Sequence, residues 1–156
     1  MENIKDIAIQ VIDTEAKSIL RLKELLNDNF TKVVELILNS KGNVVVSGIG
    51  KSANIAQKIV ATLNSTGTTA VFMHAADAIH GDLGIIRDDD VVIIISKSGE
   101  TPEIKVLTPL IKIRKNKLVA IVGNTKSYLA AEADYVLDTT VPHEACPNNL
   151  APTAST

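Results

Sequence analysis

Hydrophobic residues recur at helical spacing in the first quarter of the chain. Apolar side chains return every three to four residues through the segment 3–27, and a second amphipathic run covers 33–38. The pattern predicts two N-terminal helices, or one helix broken near Asn27-Asp28-Asn29. Such helices carry more apolar surface than one face of a small sheet covers. We therefore expect a homo-oligomer, either a dimer or a tetramer.

After residue 40 the pattern changes to short runs of β-branched and other apolar residues. Strands are predicted at 44–46, 70–72, 91–95, 118–122 and 135–137. Helix-compatible segments separate them, at 51–64, 75–80, 102–114 and 126–133. Continuous apolar runs are typical of strands that are buried on both faces of a parallel sheet. The sequence predicts an α/β fold, a three-layer αβα sandwich with a five-stranded parallel sheet that is flavodoxin-like or Rossmann-like.

The organisation of the chain follows from these elements. We expect one domain over 1–156, with N-terminal helices in 1–40 and the αβα core in 41–156. The last residues, from Leu150 onward, resemble the approach to a helix, with Thr153 or Ser155 as N-cap. We therefore expect C-terminal helices that are missing from these 156 residues.

Charge and cysteine content narrow the possible partners. The net charge of −2 and the absence of a basic stripe argue against nucleic acid or an anionic membrane as partner. Cys146 is the only cysteine, so no internal disulfide is expected. The N-terminus lacks the layout of a signal peptide, and no apolar run approaches the roughly 18 to 20 residues that cross a bilayer. We expect a cytoplasmic protein.

A candidate phosphate site is formed by Ser96-Lys97-Ser98-Gly99-Glu100-Thr101, which joins a predicted strand to a predicted helix. Three hydroxyls, a glycine and the free N–H groups of a first helical turn meet there, and these are the groups that hold phosphate. Helix capping by Thr101 or Ser98 is the alternative, and it accounts for one or two of these hydroxyls.

A second glycine-rich turn, Gly48-Ile49-Gly50-Lys51-Ser52, is not a nucleotide-binding loop. A Walker A motif needs a glycine where Val45 stands, and the second predicted strand ends at Met73-His74 without the acidic residue of a dinucleotide site. What remains is Lys51 at the positive end of a helix, where a cation is disfavoured unless it meets an anion. A solvated surface lysine is the alternative.

Two histidines and two carboxylates complete the candidates. The spacing of His74 and His80 is not that of a zinc site, so a structural metal is not expected, and His80 suits proton transfer or substrate binding unless it is structural. Glu103 lies in a first helical turn, which it would also stabilise. Glu144 follows the fifth strand and is a candidate general base, whereas Cys146 is expected to be a small apolar residue.

These segments together resemble one family. The motifs are Gly48-Ile49-Gly50-Lys51-Ser52, Ser65-Thr66-Gly67-Thr68, His80-Gly81-Asp82-Leu83-Gly84, Ser96-Lys97-Ser98-Gly99-Glu100-Thr101-Pro102-Glu103-Ile104 and Glu144-Ala145-Cys146-Pro147. From about residue 40 onward the chain resembles the sugar isomerase (SIS) domain, and within it the D-arabinose-5-phosphate isomerases of capsule and Kdo synthesis. The resemblance implies interconversion of D-ribulose 5-phosphate and D-arabinose 5-phosphate without a metal or other cofactor.

The resemblance also implies roles for single residues. It marks Lys51, Glu103 and Glu144 as catalytic, and it places His74 and His80 in the sugar pocket, with inhibitory zinc at His74. The other substrate-binding residues that we expect are Gly48, Ser52, Gly67, Thr68, Ser96, Ser98, Gly99 and Thr101. It further implies C-terminal helices with another catalytic histidine. A nucleotide sugar that acts as feedback inhibitor is a candidate partner, and the sequence leaves this open. Many members add a pair of CBS domains.

The chain departs from the family at Lys97, where asparagine is common, and at Thr69, where proline is common. Our hypothesis for the chemistry makes Glu144 the base that removes the proton beside the carbonyl. Lys51 and His80 then polarise oxygens, and Glu103 shuttles a proton or positions Lys51. The alternatives are a non-catalytic regulator that binds sugar phosphate and an isomerase of another phosphosugar.

Overall fold

The structure is a computed structural model that describes residues 3–155. Parallel strands form its centre. Within these residues the strands are β1 (Val44–Gly48), β2 (Ala70–His74), β3 (Val91–Ser96), β4 (Lys117–Val122) and β5 (Tyr135–Asp138). They form one five-stranded sheet of order β2-β1-β3-β4-β5, and every neighbouring pair is parallel. This order is the flavodoxin-like one, and it confirms the predicted fold class.

Helices precede and connect the strands. They are α1 (Ile4–Leu25), α2 (Asp28–Asn39), α3 (Lys51–Ser65), α4 (Ala75–Ala78), α5 (Pro102–Arg114) and α6 (Tyr128–Glu132), with a short 3-10 helix at Asp82–Ile85. The N-terminal run is two helices, because Asn27 caps α2. Its side chain accepts a hydrogen bond from the Asn29 N–H at 2.9 Å.

Two helical layers cover the two faces of the sheet. Side chains of α2 and α3 pack on one face, with Val44, Val46 and Val119. Side chains of α4, α5 and α6 pack on the other, with Val45 and Ile94. Successive strand residues point to opposite faces, so an unbroken apolar run fills both layers at once. We call these the α3 face and the α5 face.

Helix α1 contributes little to either layer. Ser18 is its one buried residue, whereas Ile4, Ile12 and Ile19 are 84%, 64% and 66% exposed. None of the helices in residues 3–155 is long and apolar enough to cross a lipid bilayer.

The strand order creates a switch point at the centre of the sheet. From β1 the chain crosses outward to β2 and then returns to β3 on the other side of β1. The connections that leave the carboxyl ends of β1 and β3 therefore diverge, and ligands of such sheets bind in the crevice between them. Both glycine-containing turns singled out in the sequence lie at this crevice.

Candidate active site

The turn after β1 brings Lys51 to the crevice. Gly48 ends β1, and Gly50 precedes α3 with φ 58° and ψ −127°, a conformation that side chains with a Cβ rarely adopt. Helix α3 therefore begins at once with Lys51, whose side chain is exposed, followed by the half-buried Ser52. The sequence placed this cation at a helix N-terminus, and the structure does the same.

The loop after β3 is held together by its own hydroxyls. Ser96 Oγ accepts a hydrogen bond from the Gly99 N–H at 3.1 Å and lies 3.4 Å from Thr101 Oγ1. Ser98 Oγ accepts from the Glu100 N–H at 3.2 Å. Thr101 stands at the N-cap of α5, yet within the described residues its side chain caps no N–H group. The hydroxyls therefore set the shape of the loop, which leaves the first-turn N–H groups of α5 for a ligand.

Gly99 fixes this loop against α6. Its φ is 64°, and a Cβ added there would lie 2.0 Å from Ser127 Oγ. The Leu129 N–H donates to the Gly99 carbonyl at 3.1 Å, and the Tyr128 N–H donates to Glu100 Oε1 at 2.6 Å. Because two hydrogen bonds from the start of α6 hold the loop, its backbone is preorganised for binding.

Glu144 is the most thoroughly engaged polar residue near the crevice. It is 4% exposed. Its Oε1 accepts from Lys97 Nζ and from Ser155 Oγ. Its Oε2 accepts from the Thr153 N–H at 2.9 Å, from the Ser155 N–H at 3.1 Å and from Thr153 Oγ1 at 3.3 Å. We call Lys97, Glu144, Thr153 and Ser155 the Glu144 cluster.

These contacts decide the charge of Glu144. Burial by itself would raise the pKa of the carboxyl group, but the hydrogen bonds from Lys97, Ser155 and Thr153 outweigh it and lower the pKa to about 2. The carboxylate is therefore ionised at neutral pH. It also joins the loop after β3 to the segment 153–155.

A cavity of about 420 Å³ adjoins the cluster on the α3 face. Its walls are mostly apolar side chains of α1, α3 and the strand ends, such as Ile19, Ile55 and Ile121. The residues that line it are Ser18, Ile19, Leu22, Lys51, Ser52, Ile55, Ile59, Ile95, Lys97, Ile121, Gly123, Thr139, Val141, Leu150, Pro152, Ala154 and Ser155. Lys51, Lys97 and Ser155 therefore line one cavity. Glu144 lies outside the lining and contacts it through Lys97 and Ser155.

Two further polar residues lie outside that lining, the candidate Glu103 and Ser47, which the sequence did not single out. Glu103 stands in the first turn of α5, and its Oε2 is buried without a hydrogen-bond partner among the described residues. Ser47, fully buried, shares its register with Met73 and Ile94, two core residues of the α5 face. Its hydroxyl is likewise unpaired within residues 3–155. We call Ser47 and Glu103 the unpaired residues.

His74 and His80 have different surroundings. His74 ends β2 and packs edge-on against Phe72, and its Nδ1 lies 3.7 Å from Asp77 Oδ2. His80 is exposed in the turn after α4, where its N–H donates to the Asp77 carbonyl at 2.9 Å. Over the part of the chain that the structure describes, no three His, Cys, Asp or Glu side chains are placed to hold a metal ion.

Gly67 and Thr68 require a correction. They lie between α3 and β2, just before Ala70, which pairs in register with Val44 at the start of β1. A segment that leads into a parallel strand lies at the amino edge of the sheet, opposite the crevice. This chain does not bring Gly67 and Thr68 to the candidate site.

Several contributors to the site were not singled out from the sequence. In the sequence Lys97 is only a departure from the family, and Thr153 and Ser155 are only candidate N-caps. Their shared partner, Glu144, is distant from Lys97 in the chain, and no local pattern links the two. Cys146 also differs from expectation, because it is half-buried and backbone N–H groups, first that of Ala151, lower the pKa of its thiol.

Comparison with known proteins gives a consistent result. The SIS domain family matches residues 36–156. Arabinose 5-phosphate isomerase KdsD of Pseudomonas aeruginosa is 49% identical over 149 residues, which is 96% of this chain and 46% of that protein. Arabinose 5-phosphate isomerase KpsF of Escherichia coli is 51% identical over 134 residues, 86% of this chain and 41% of that protein.

A solved structure agrees with these relatives. An Escherichia coli protein in complex with arabinose 5-phosphate superposes with a TM-score of 0.88 at 37% identity, covering 99% of this chain and 84% of that one. The chain spans less than half the length of the curated relatives that it matches.

Proposed function

The chain belongs to the SIS domain family, and from this premise we propose that it forms the sugar-phosphate site of an aldose-ketose isomerase. The reaction is the interconversion of D-arabinose 5-phosphate and D-ribulose 5-phosphate, and its product supplies Kdo synthesis. The names of the relatives support this substrate pair. The observation that carries the proposal is a buried carboxylate, Glu144, beside a cavity lined by Lys51 and Lys97 at the carboxyl edge of the sheet.

The chemistry requires a base, a place for the enediolate charge and an acid. An aldose and its ketose exchange through an enediolate, after a proton leaves the carbon beside the carbonyl. In our proposal Glu144 removes that proton. Lys51 and His80 polarise the two oxygens on which charge develops, and Glu103 returns the proton or positions Lys51. The unpaired oxygen of Glu103 leaves it free to do either.

The phosphate group anchors the substrate in this proposal. The loop after β3 offers Ser98, Gly99, Thr101 and the first-turn N–H groups of α5, and the turn after β1 offers Gly48 and Ser52 across the crevice. Holding a flexible five-carbon chain by its phosphate places the reacting carbons, and such positioning supplies several kcal/mol of barrier lowering. Ser96 acts through the loop, since its side chain is buried and its hydroxyl accepts from the Gly99 N–H, whereas Ser98 is exposed.

The direct test follows proton exchange by NMR. We expect the purified protein, with the length its relatives have, to interconvert the two five-carbon phosphates. The proton beside the carbonyl should exchange with solvent during the reaction. Binding of both sugars without exchange or turnover would overturn the proposal in favour of a sugar-phosphate regulator. Turnover of six- or seven-carbon phosphates alone would reassign the substrate.

We further propose a homo-oligomer in the cytoplasm, with a nucleotide sugar as feedback inhibitor. The exposed isoleucines of α1 support self-association, because soluble monomers seldom expose a continuous apolar face. The cytoplasm is proposed because a phosphorylated sugar is too highly charged to cross a bilayer unaided. Light scattering that returned a monomer, or cell fractionation that placed the protein elsewhere, would contradict the first two proposals.

A further inference from the structure

Lys97 is the cationic member of the Glu144 cluster. Within residues 3–155 it is the one cationic side chain at salt-bridge distance from Glu144, and the other donors are hydroxyl and backbone N–H groups of Thr153 and Ser155. The two partners differ in exposure, because the Lys97 side chain is 55% exposed and that of Glu144 is 2% exposed. Lys97 therefore stands between the buried carboxylate and the cavity.

The cavity has the charge of an anion site. Among the described residues that line it, Lys51 and Lys97 are the ionisable ones, and no carboxylate is present. An anion that entered would meet two ammonium groups. The carboxylate of Glu144 does not line the cavity, and its negative charge is paired with Lys97.

The backbone of Lys97 is fixed, whereas its side chain is a flexible stem. The Lys97 carbonyl accepts from the Gly123 N–H at 3.0 Å, which ties the residue to the end of β4. A lysine ammonium group is a point charge on four methylene groups and can exchange partners without moving the backbone. A phosphate dianion attracts it more strongly than a carboxylate with a single charge does.

The cluster also poses a problem for catalysis. With five donors on two oxygens, Glu144 has no free lone pair with which to take a proton from a substrate. A general base has to lie within hydrogen-bond distance of the proton that it removes, and its pKa has to be high enough for it to accept that proton. At least one donor has to leave before Glu144 can act, and Lys97 is the one that an incoming anion would draw away.

We propose that Lys97 is a shared cation, which pairs with Glu144 in the empty protein and with the phosphate group of a bound sugar phosphate. Binding thereby frees Glu144 Oε1 for proton transfer. This inference rests on the proposed function for the identity of the ligand. It makes Lys97 a positioning residue toward the base and a binding residue toward the substrate.

The test measures the titration of Glu144 directly, by the carbon chemical shift of its carboxyl group in NMR. In the unmodified protein Glu144 should stay ionised down to about pH 3, and inorganic sulfate, which unlike phosphate is still a dianion at this pH, should raise its pKa by about one unit or more. In Lys97→Gln the pKa should be raised without ligand, and ligand should add nothing. In the matched control Lys112→Gln, which removes the exposed partner of Glu132, Glu144 should titrate as in the unmodified protein.

Kinetics give a second measure. Lys97→Gln should raise KM for the sugar phosphate by about tenfold and leave kcat within about threefold, because a contact made equally in ground and transition states affects binding alone. Lys97→Arg should restore KM. A fall in kcat at unchanged KM would overturn the proposal.

The titration separates this inference from the proposed function. If the protein isomerises the sugars but sulfate leaves the titration of Glu144 unchanged, the shared-cation inference fails alone. If sulfate shifts the pKa of Glu144 in a protein without isomerase activity, the shared cation stands and the proposed function fails.

Discussion

The Glu144 cluster and the unpaired residues, Ser47 and Glu103, show two opposite treatments of buried polar groups near the crevice. In the Glu144 cluster, beside the α3 face, each carboxylate oxygen accepts at least two hydrogen bonds. Toward the α5 face, the hydroxyl of Ser47 and one oxygen of Glu103 have no partner within the described residues. The Glu144 cluster joins the loop after β3 to the segment 153–155, whereas the unpaired residues lower the stability of the empty protein.

This contrast distinguishes two uses of buried polarity. A satisfied buried carboxylate fixes the segments that donate to it, here the loop after β3 and the segment 153–155. An unsatisfied buried polar atom costs about 1–3 kcal/mol, a cost that natural proteins rarely retain without a functional reason. We therefore expect substitutions in the Glu144 cluster to change both stability and activity, and substitutions of the unpaired residues to change activity without loss of stability.

The largest effect is expected from Glu144→Gln. The amide cannot act as a base and cannot pair with Lys97, so kcat should fall by about a thousandfold. Amide hydrogen exchange at 153–155 should also speed up, because the anchor of this segment is weakened. Steady-state kinetics and exchange measured by mass spectrometry test both effects.

Glu132→Gln is the control for that change. It removes a carboxylate from an exposed ion pair with Lys112 and should leave kcat and the exchange at 153–155 unaltered. Unchanged turnover in Glu144→Gln would remove Glu144 from the catalytic set and favour a regulator.

The next effect concerns acid stability. Folding lowers the pKa of Glu144 from an ordinary value of 4.5 to about 2, so the folded state favours the ionised form. Its contribution to the free energy of unfolding is therefore complete above pH 4.5 and is lost as the pH falls from 4.5 toward 2. A shift of this size corresponds to about 3 kcal/mol.

Urea denaturation at pH 6, 4 and 3 measures this loss. The unmodified protein should lose more stability over this range than Glu144→Gln, which has no carboxyl group to protonate at this position. Equal losses in the two proteins would show that folding does not lower the pKa of Glu144. The contrast between the Glu144 cluster and the unpaired residues would then weaken.

The third prediction takes the comparison to the α5 face. Glu103→Gln should lower kcat by about a hundredfold, because a proton carrier is lost. The free energy of unfolding should change by less than about 0.5 kcal/mol, since Glu103 Oε2 accepts no bond from residues 3–155. Kinetics and urea denaturation on the same preparation give both numbers. A loss of stability as large as that in Glu144→Gln would mean that Glu103 is structural.

Much of this fold was predictable from the sequence. The apolar runs at 44–46 and 91–95 fill both faces of the sheet, so their length and composition alone indicated buried parallel strands. Because the strands are parallel, their carboxyl ends lie at one edge of the sheet, and the glycine-containing turns that follow β1 and β3 therefore lie at that edge. The order of elements also puts Gly67 and Thr68 before β2, at the amino edge of the sheet, so their distance from the crevice was predictable as well.

The pairing within the site was not predictable. Lys97 and Glu144 are 47 residues apart, and their contact depends on the direction of a flexible side chain that no local pattern fixes. The sequence also does not show that the hydroxyl of Ser47 is unpaired, because a serine in an apolar strand can have a hydrogen-bond partner or lack one. Both features depend on which neighbours the tertiary structure supplies.

The smallest effect, and the sharpest comparison, comes from two serines. Ser47 and Ser127 are 0% and 1% exposed, but Ser127 Oγ accepts the Ala130 N–H at 3.3 Å and caps α6, whereas the Ser47 hydroxyl is unpaired among the described residues. Ser47→Ala should therefore raise the free energy of unfolding by about 1 kcal/mol, and Ser127→Ala should lower it by about 1 kcal/mol. Urea denaturation of the empty protein measures both. If Ser47→Ala destabilises as much as Ser127→Ala, the hydroxyl of Ser47 has a partner in solution, and the α5 face is as fully paired as the Glu144 cluster.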